Sequence, residues 1–158
     1  MKLYLETTMF NYFFDIERDG HADTVLLFKK ILAGEYEAYT SEYTVGELLN
    51  SQEPKQSKML ALIKEYGIVT LPITDESDKL AGVYVSKKII PARFFLDGAH
   101  IAVASIGGLD YVLSYNFRHI NRTKTKLLTE RINREKGYGT VVICTSKEVL
   151  QDEQHFEE

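Results

Sequence analysis

Residues Phe94–Ile120 read FFLDGAHIAVASIGGLDYVLSYNFRHI. The stretch opens with one acid, Asp97, followed by an apolar run at helical spacing. Gly107-Gly108 breaks that run, and a short apolar strand, Tyr111-Val112-Leu113, comes next. It closes on a polar tip, Ser114-Tyr115-Asn116, and a basic pair, Arg118-His119. In a helix–turn–strand unit of this length the helix start and the strand end fall at one edge of a sheet. The spacing therefore predicts that Asp97 and Asn116 meet in a cleft.

Working outward, the same alternation of short apolar strands and amphipathic helices covers the chain. Strands are predicted at Lys2–Leu5, Tyr36–Thr40, Ile68–Leu71, Tyr111–Leu113 and Val141–Cys144. Helices are predicted between them, with a face of Val25, Leu26, Phe28, Ile31 and Leu32 in the second. Ser41 and Thr74 stand where helix caps belong. A helix from about Thr125 turns Leu127, Leu128 and Ile132 inward, and Ser146 opens a last short turn. This pattern argues a three-layer α/β/α sandwich with a short, mostly parallel central sheet of four to five strands. Residues 1–150 form a single domain, and 151–158 an acidic C-terminal tail expected to fray.

In such sheets ligands gather outside the carboxyl ends of the strands, at a topological switch point. Four residues fall there: Glu6 after the first strand, Glu47 on the helix after the second, Asp97 ahead of the helix feeding the fourth strand, and Asn116 after it. Carboxylates gathered in an apolar setting repel one another unless something compensates, and a divalent cation does so. Oxygen ligands without a Cys pair or His at ligand spacing point to Mg²⁺ or Mn²⁺ rather than zinc. Taken singly, each residue has an ordinary reading: Glu6 and Asp97 as helix caps, Glu47 as a solvent-facing helix residue, Asn116 as a turn residue. His100 reads as a packed helix residue rather than a base.

The chain has 158 residues and a net charge of −4, which by itself argues against nucleic acid as a partner. The distribution argues otherwise. From Tyr115 to Thr140, Arg118, Arg122, Lys124, Lys126, Arg131, Arg134 and Lys136 face only Glu130 and Glu135. A concentrated basic arm on an acidic protein suits phosphates. Apolar runs are too short for a membrane span, and the N-terminus has no signal-peptide pattern. With Cys144 alone there is no internal disulfide, and the cytoplasm is the expected compartment. No G-x-x-x-x-G-K-[ST] is present, and Gly107-Gly108 precede a strand where P-loop glycines follow one.

The pieces KLYLETTMFNYFF, TSEYTVGELLN, FFLDGAHIAVA and DYVLSYNFRHI, in this order, resemble the PIN-domain ribonucleases, of which VapC-type toxins are the most numerous. The resemblance implies cleavage of single-stranded RNA dependent on Mg²⁺ or Mn²⁺, with Glu6, Glu47 and Asp97 as metal-site acids and Asn116 in the fourth catalytic position. Thr7 and Thr8 match the hydroxyl residues after the first acid. Arg118, His119 and Arg122 are expected to steer RNA phosphates, and Tyr12, Phe13 and Tyr43 are candidates to stack bases. An antitoxin protein and a homodimer are implied partners. The sequence departs from the family in having Glu6 where Asp is usual and Asn116 where Asp is frequent. These departures keep open a second reading, a PIN-like module that binds RNA or a protein with weak or absent catalysis.

Overall fold

The computed structural model describes residues 1–157, with side chains through Asp152. Five strands, β1 (Lys2–Leu5), β2 (Glu37–Ser41), β3 (Val69–Leu71), β4 (Tyr111–Leu113) and β5 (Val142–Cys144), form one sheet in the order β3-β2-β1-β4-β5. All four pairings are parallel. Among the described residues eight α-helices cover the sheet: α1 (Thr7–Phe14), α2 (His21–Leu32), α3 (Glu42–Leu49), α4 (Lys55–Glu65), α5 (Asp75–Ser86), α6 (Phe95–Ile106), α7 (Thr123–Glu135) and α8 (Ser146–Glu157). A 3-10 turn, Ala92–Phe94, leads into α6. The sandwich and its strands stand as the sequence pattern predicts.

Strand side chains alternate between two cores, as a pleated strand requires. Leu3, Leu5, Tyr111 and Leu113 join one core with Met9, Phe10, Leu27, Phe28 and Leu62. Tyr4 and Val112 join the other with Leu80, Tyr84, Ile101 and Ile143. With both faces covered, the strands read as apolar runs.

Two helix faces differ from expectation. In α2 the buried residues are Thr24, Leu27, Phe28 and Ile31, while Leu26 and Leu32 are exposed. In α7 Leu127 is exposed, and the inner face is Thr125, Thr129, Ile132 and Asn133. Here hydrogen bonding replaces apolar burial. Asn133 donates to Ser105 Oγ at 2.8 Å and accepts from the Tyr84 hydroxyl, so a polar residue holds a core position. The last helix is twelve residues rather than a short turn. It runs through the 150/151 boundary expected to begin a tail; Glu158 and the side chains from 153 onward lie outside the described residues.

The switch point is set by strand order. β1 pairs with β2 on one side and with β4 on the other, so the chain reverses direction of growth across β1. The crevice beyond the carboxyl ends of β1 and β4 therefore opens next to Glu6 and Ser114. Thr40 Oγ1 donates to the Leu5 carbonyl at 2.8 Å, and the Glu6 amide donates to the Leu113 carbonyl at 3.1 Å. These bonds fix the strand ends that carry the acids.

Gly20 caps α2 at φ 100°, and a Cβ there would sit 2.8 Å from the Tyr115 ring. That ring cannot swing away, because it stacks on Tyr12 at 3.9 Å and its hydroxyl meets Thr24 Oγ1 at 3.0 Å. Gly20→Ala is expected to cost roughly 1–3 kcal/mol from the left-handed backbone and the ring contact together. Urea unfolding measures it, and a change below about 0.5 kcal/mol would mean that the contact is relieved elsewhere.

Candidate active site

Glu6 is 3% exposed and caps α1. Its Oε1 accepts from the Thr8 amide at 3.2 Å, the Thr8 hydroxyl at 2.6 Å and the Ser114 hydroxyl at 2.6 Å. The capping role and the position at the crevice thus coexist in one side chain. Thr8 Oγ1 in turn accepts from the Tyr115 amide at 2.8 Å, which ties the ends of β1 and β4 together.

Glu47 projects from α3 and is held by two donors on Oε1: Thr7 Oγ1 at 2.9 Å and His100 Nε2 at 2.5 Å. His100, one turn after Asp97 on α6, is fully buried. Its Nδ1 lies 2.6 Å from the Tyr4 hydroxyl, which lies 2.7 Å from Ser41 Oγ. Burial works against a charge on His100. The Tyr4 oxygen and the carboxylates of Glu47 and Glu6 outweigh it and hold the imidazole well above its ordinary range. Burial likewise disfavours the Glu47 carboxylate. The bonds from His100 and Thr7 prevail and hold it below its ordinary value. We read the contact as an imidazolium–carboxylate pair with the imidazolium buried and the carboxylate half-buried.

Asp97 lies in the first turn of α6, after Phe94, whose side chain makes no capping bond, so Asp97 is not the N-cap. Burial, and then the charges of Glu6 and Glu47, push its carboxyl up to about 6, against the opposing pull of His100 and a hydrogen bond with Asn116. Asn116 Oδ1 accepts from the His119 amide at 3.0 Å, and the Asn116 amide donates to Ser114 Oγ at 3.0 Å. The structure therefore brings Glu6, Glu47, Asp97 and Asn116 together. Thr7 and Thr8 sit within the cluster as donors to Glu47 and Glu6.

The donor set fits a hard divalent cation. Glu6, Glu47 and His100 offer ligand atoms within 4.8 Å of one another, although His100 already spends Nε2 on Glu47 and Nδ1 on Tyr4. The bonds that anchor Glu6 and Glu47 fall on Oε1 in each, leaving Oε2 outside these contacts. Three carboxylates face one imidazolium, so the fully ionised cluster carries two uncompensated negative charges, which matches one divalent ion.

The basic residues stand beside this cluster. Arg118 and Arg122 are exposed, and His119 stacks on Phe94 at 4.2 Å. Arg93 lies over the same Phe94 ring at 5.0 Å and Arg118 at 5.7 Å. His119 Nε2 is buried with no hydrogen-bond partner among the described residues. Desolvation, then the charges of Arg118, Arg122 and Arg93, hold His119 below its ordinary value.

Of the aromatic residues expected to stack bases, Tyr43 is buried with its hydroxyl on Asp78 at 2.6 Å and Ser77 at 2.8 Å, which removes it from that role. Phe13 packs against the core. Tyr12 is half-buried on Tyr115. Burial pushes the Cys144 thiol up to about 12, in keeping with a core residue rather than a nucleophile. Sequence reasoning missed His100, Tyr4 and Ser114 as parts of the cluster, and Arg93 and Phe94 beside it. The signals were present for two of them: His100 is at i+3 from Asp97, and Ser114 directly follows β4.

A wholly parallel five-stranded sandwich with acids at the crevice between its first and fourth strands has the PIN-like fold of VapC-type toxins. VapC20 of Mycobacterium tuberculosis, a Sarcin-Ricin loop cleaving toxin, superposes with a TM-score of 0.53 at 13% identity, over 74% of this chain and 92% of its own. VapBC2 from Rickettsia felis, bound to a DNA fragment from their promoter, gives 0.51 at 15% identity, over 77% and 94%. By sequence, no family model and no curated protein matches the chain.

The raised carboxyl of Asp97 has a stability consequence. Its proton is held more tightly in the folded than in the unfolded chain. Its stabilising contribution is therefore present below the unfolded value of 3.8 and is lost as pH rises toward about 6. Asp97→Asn removes that loss. In chelator at pH 7.5 the variant is expected to melt above wild type, and the difference is expected to shrink toward pH 4. A variant that melts lower at pH 7.5 contradicts the uncompensated-charge account.

Proposed function

We propose that the protein is a divalent-metal-dependent endoribonuclease that hydrolyses phosphodiester bonds of single-stranded RNA. The observation that carries this reading is the gathering of Glu6, Glu47 and His100 with ligand atoms within 4.8 Å of one another at the switch point, with Asp97 coupled to both acids and a charge excess that one divalent ion would cancel. The PIN-like fold supports it.

Glu6, Asp97 and Glu47 would hold the ion, Mg²⁺ or Mn²⁺. When bound, the ion supplies a water of lowered pKa and neutralises charge developing on the phosphate oxygens. Thr8 and Ser114 fix Glu6, while Thr7 and His100 fix Glu47, so both carboxylates are positioned before substrate arrives. Asn116 favours the ionised form of Asp97, the form that would bind the ion. Arg118, Arg122 and His119, joined by Arg93, would bind the phosphates flanking the scissile bond.

The toxin role in a toxin–antitoxin pair is part of this proposal. Its supports are the similarity to the two Vap structures and an acidic cleft that a basic side chain of an inhibitor would fill. A homodimer, implied by the sequence resemblance, is proposed with it. No helix of the described residues is long and apolar enough to cross a membrane, and a cytoplasmic site of action is proposed.

The test is a single-stranded RNA titrated with Mn²⁺ and with Mg²⁺, comparing wild type with Asp97→Asn. Cleavage is expected to fall by roughly 10²-fold or more, as for loss of a group that stabilises developing charge. Equal cleavage by the two proteins sinks the nuclease reading. Binding without cleavage by wild type under either metal favours the non-cutting module. Independently, Arg118→Ala is expected to lower the slope of log affinity against log salt by about 0.7, the share of one phosphate contact on a single strand. Filter binding of metal-free protein over a salt series measures that slope.

A further inference from the structure

Next to the acid cluster lies a second feature that the phosphodiesterase reading does not use. A cleft of about 310 Å³ is lined by Tyr12, Arg18, Asp19, Asp23, Phe117 and Lys147, with Tyr115 and Gly20 in its wall. Its volume is at the small end of ligand sites, roughly 300–1,000 Å³. Two hydrogen bonds join the cleft to the acid cluster. The Tyr115 amide donates to Thr8 Oγ1 at 2.8 Å, and that hydroxyl donates to Glu6 Oε1 at 2.6 Å. Phe117 directly follows Asn116 in the chain, so one loop carries both a wall of this cleft and a residue of the acid cluster.

The lining combines flat apolar surface with both kinds of charged group. Tyr12 and Tyr115 stack at 3.9 Å with planes 2° apart, the Arg18 guanidinium lies over Tyr12 at 5.4 Å, and Phe117 meets Tyr115 edge-on at 6.3 Å. The Tyr115 side of the stack is locked by Thr24 and Gly20, so this wall is rigid. Phe117 is 57% exposed, leaving a ring surface for a further aromatic partner. A single exposed Phe is ordinary on a protein surface. A Phe beside a stacked tyrosine pair and a guanidinium, with carboxylates and a lysine on the same cleft, is a surface for a planar, hydrogen-bonding ring. Single-stranded RNA is read in this way, by unstacked bases laid on aromatic or guanidinium planes and bonded along their edges.

We propose that this cleft is a nucleobase subsite which takes one base of the RNA strand cut at the acid cluster, and that it favours guanine. This rests on the nuclease reading for its biological use, but not for its test. Guanine presents two adjacent donors, N1–H and N2–H₂, to a carboxylate such as Asp19 or Asp23. It also presents the O6 and N7 acceptors to a cation such as Arg18 or Lys147. Uracil has one ring N–H between two carbonyls and meets fewer of these groups. The subsite would give the enzyme sequence preference at a nucleotide next to the scissile bond.

The experiment uses the full chain without metal. Amide NMR spectra are followed during titration with guanosine 5′-monophosphate, uridine 5′-monophosphate and inorganic phosphate. The guanine nucleotide is expected to move the signals of Phe117, Lys147 and Asp19 and to bind at least fivefold more tightly than the uracil nucleotide. Phosphate is expected to move only residues around Arg118 and Arg122. Phe117→Ala, an exposed position, is expected to weaken the guanine nucleotide about fivefold to tenfold by loss of stacking and to leave phosphate binding unchanged. The proposal is overturned if nucleotides move only the residues that phosphate moves, if uridine binds as well as guanosine, or if Phe117→Ala leaves the affinity unchanged. Failure of wild type to cleave RNA with Mn²⁺, alongside intact guanosine binding, would reject the nuclease reading and retain the subsite.

Discussion

The contact between His100 and Glu47 carries the site. Two carboxylates, Glu6 and Glu47, stand close together, with a third, Asp97, coupled to both. Without a positive group, gathering them against the end of a parallel sheet is costly, because each buried carboxylate raises the cost of ionising the next. His100 meets Glu47 from α6, and Tyr4, buried in the middle of β1, holds the other ring nitrogen. A buried ion pair is weak support for stability taken as a whole, since desolvation offsets much of the attraction. Its value here is geometric: it joins α3, α6 and β1 at one point and leaves the charges on Glu6 and Asp97 uncancelled.

The sheet topology makes that junction available. Because β1 lies between β2 and β4, its carboxyl end is bordered by residues from both halves of the chain. Glu6 and Ser114 become neighbours by this strand order alone, and Glu47 and Asp97 arrive on helices that pack over the same edge. Thr8 then links β1 to β4 by accepting the Tyr115 amide while donating to Glu6. A hydroxyl at position 8 thus holds the fold together and orients an acid, and separating these two effects in a Thr8 variant requires both an unfolding curve and a metal titration.

The architecture was legible because apolar strands and amphipathic helices alternate with few interruptions, and all five strands were placed within a residue or two. The meeting of Glu6, Glu47, Asp97 and Asn116 was legible from topology, since each flanks a strand end or a helix start. The helix faces were less so: α7 buries Thr125, Thr129 and Asn133, and a hydrophobic pattern cannot register residues that are buried through hydrogen bonds. His100 is hard to read from sequence for a related reason. A histidine in an apolar helix looks like packing, and only the alternation of Tyr4 onto the same side, with Ser41 behind it, reveals a partner on each nitrogen. Tyr43 fails as a base-stacking residue because Asp78 and Ser77, far along the chain, claim its hydroxyl.

Asn116 bears on the charge of the crevice as well as on the resemblance. With His100 protonated, Glu6, Glu47 and Asp97 leave the cluster with two negative charges in excess of neutrality. An aspartate at 116 would add a third beside a carboxyl already pushed up to about 6. The Asn116 side chain instead favours the ionised form of Asp97, and its Oδ1 accepts from the His119 backbone amide, which orders the turn that carries Arg118. On the nuclease reading proposed above, the carboxylates present would match the charge of one divalent ion and leave none to hold a second. Asn116 and His100 therefore act in the same direction, each limiting the negative charge of the crevice.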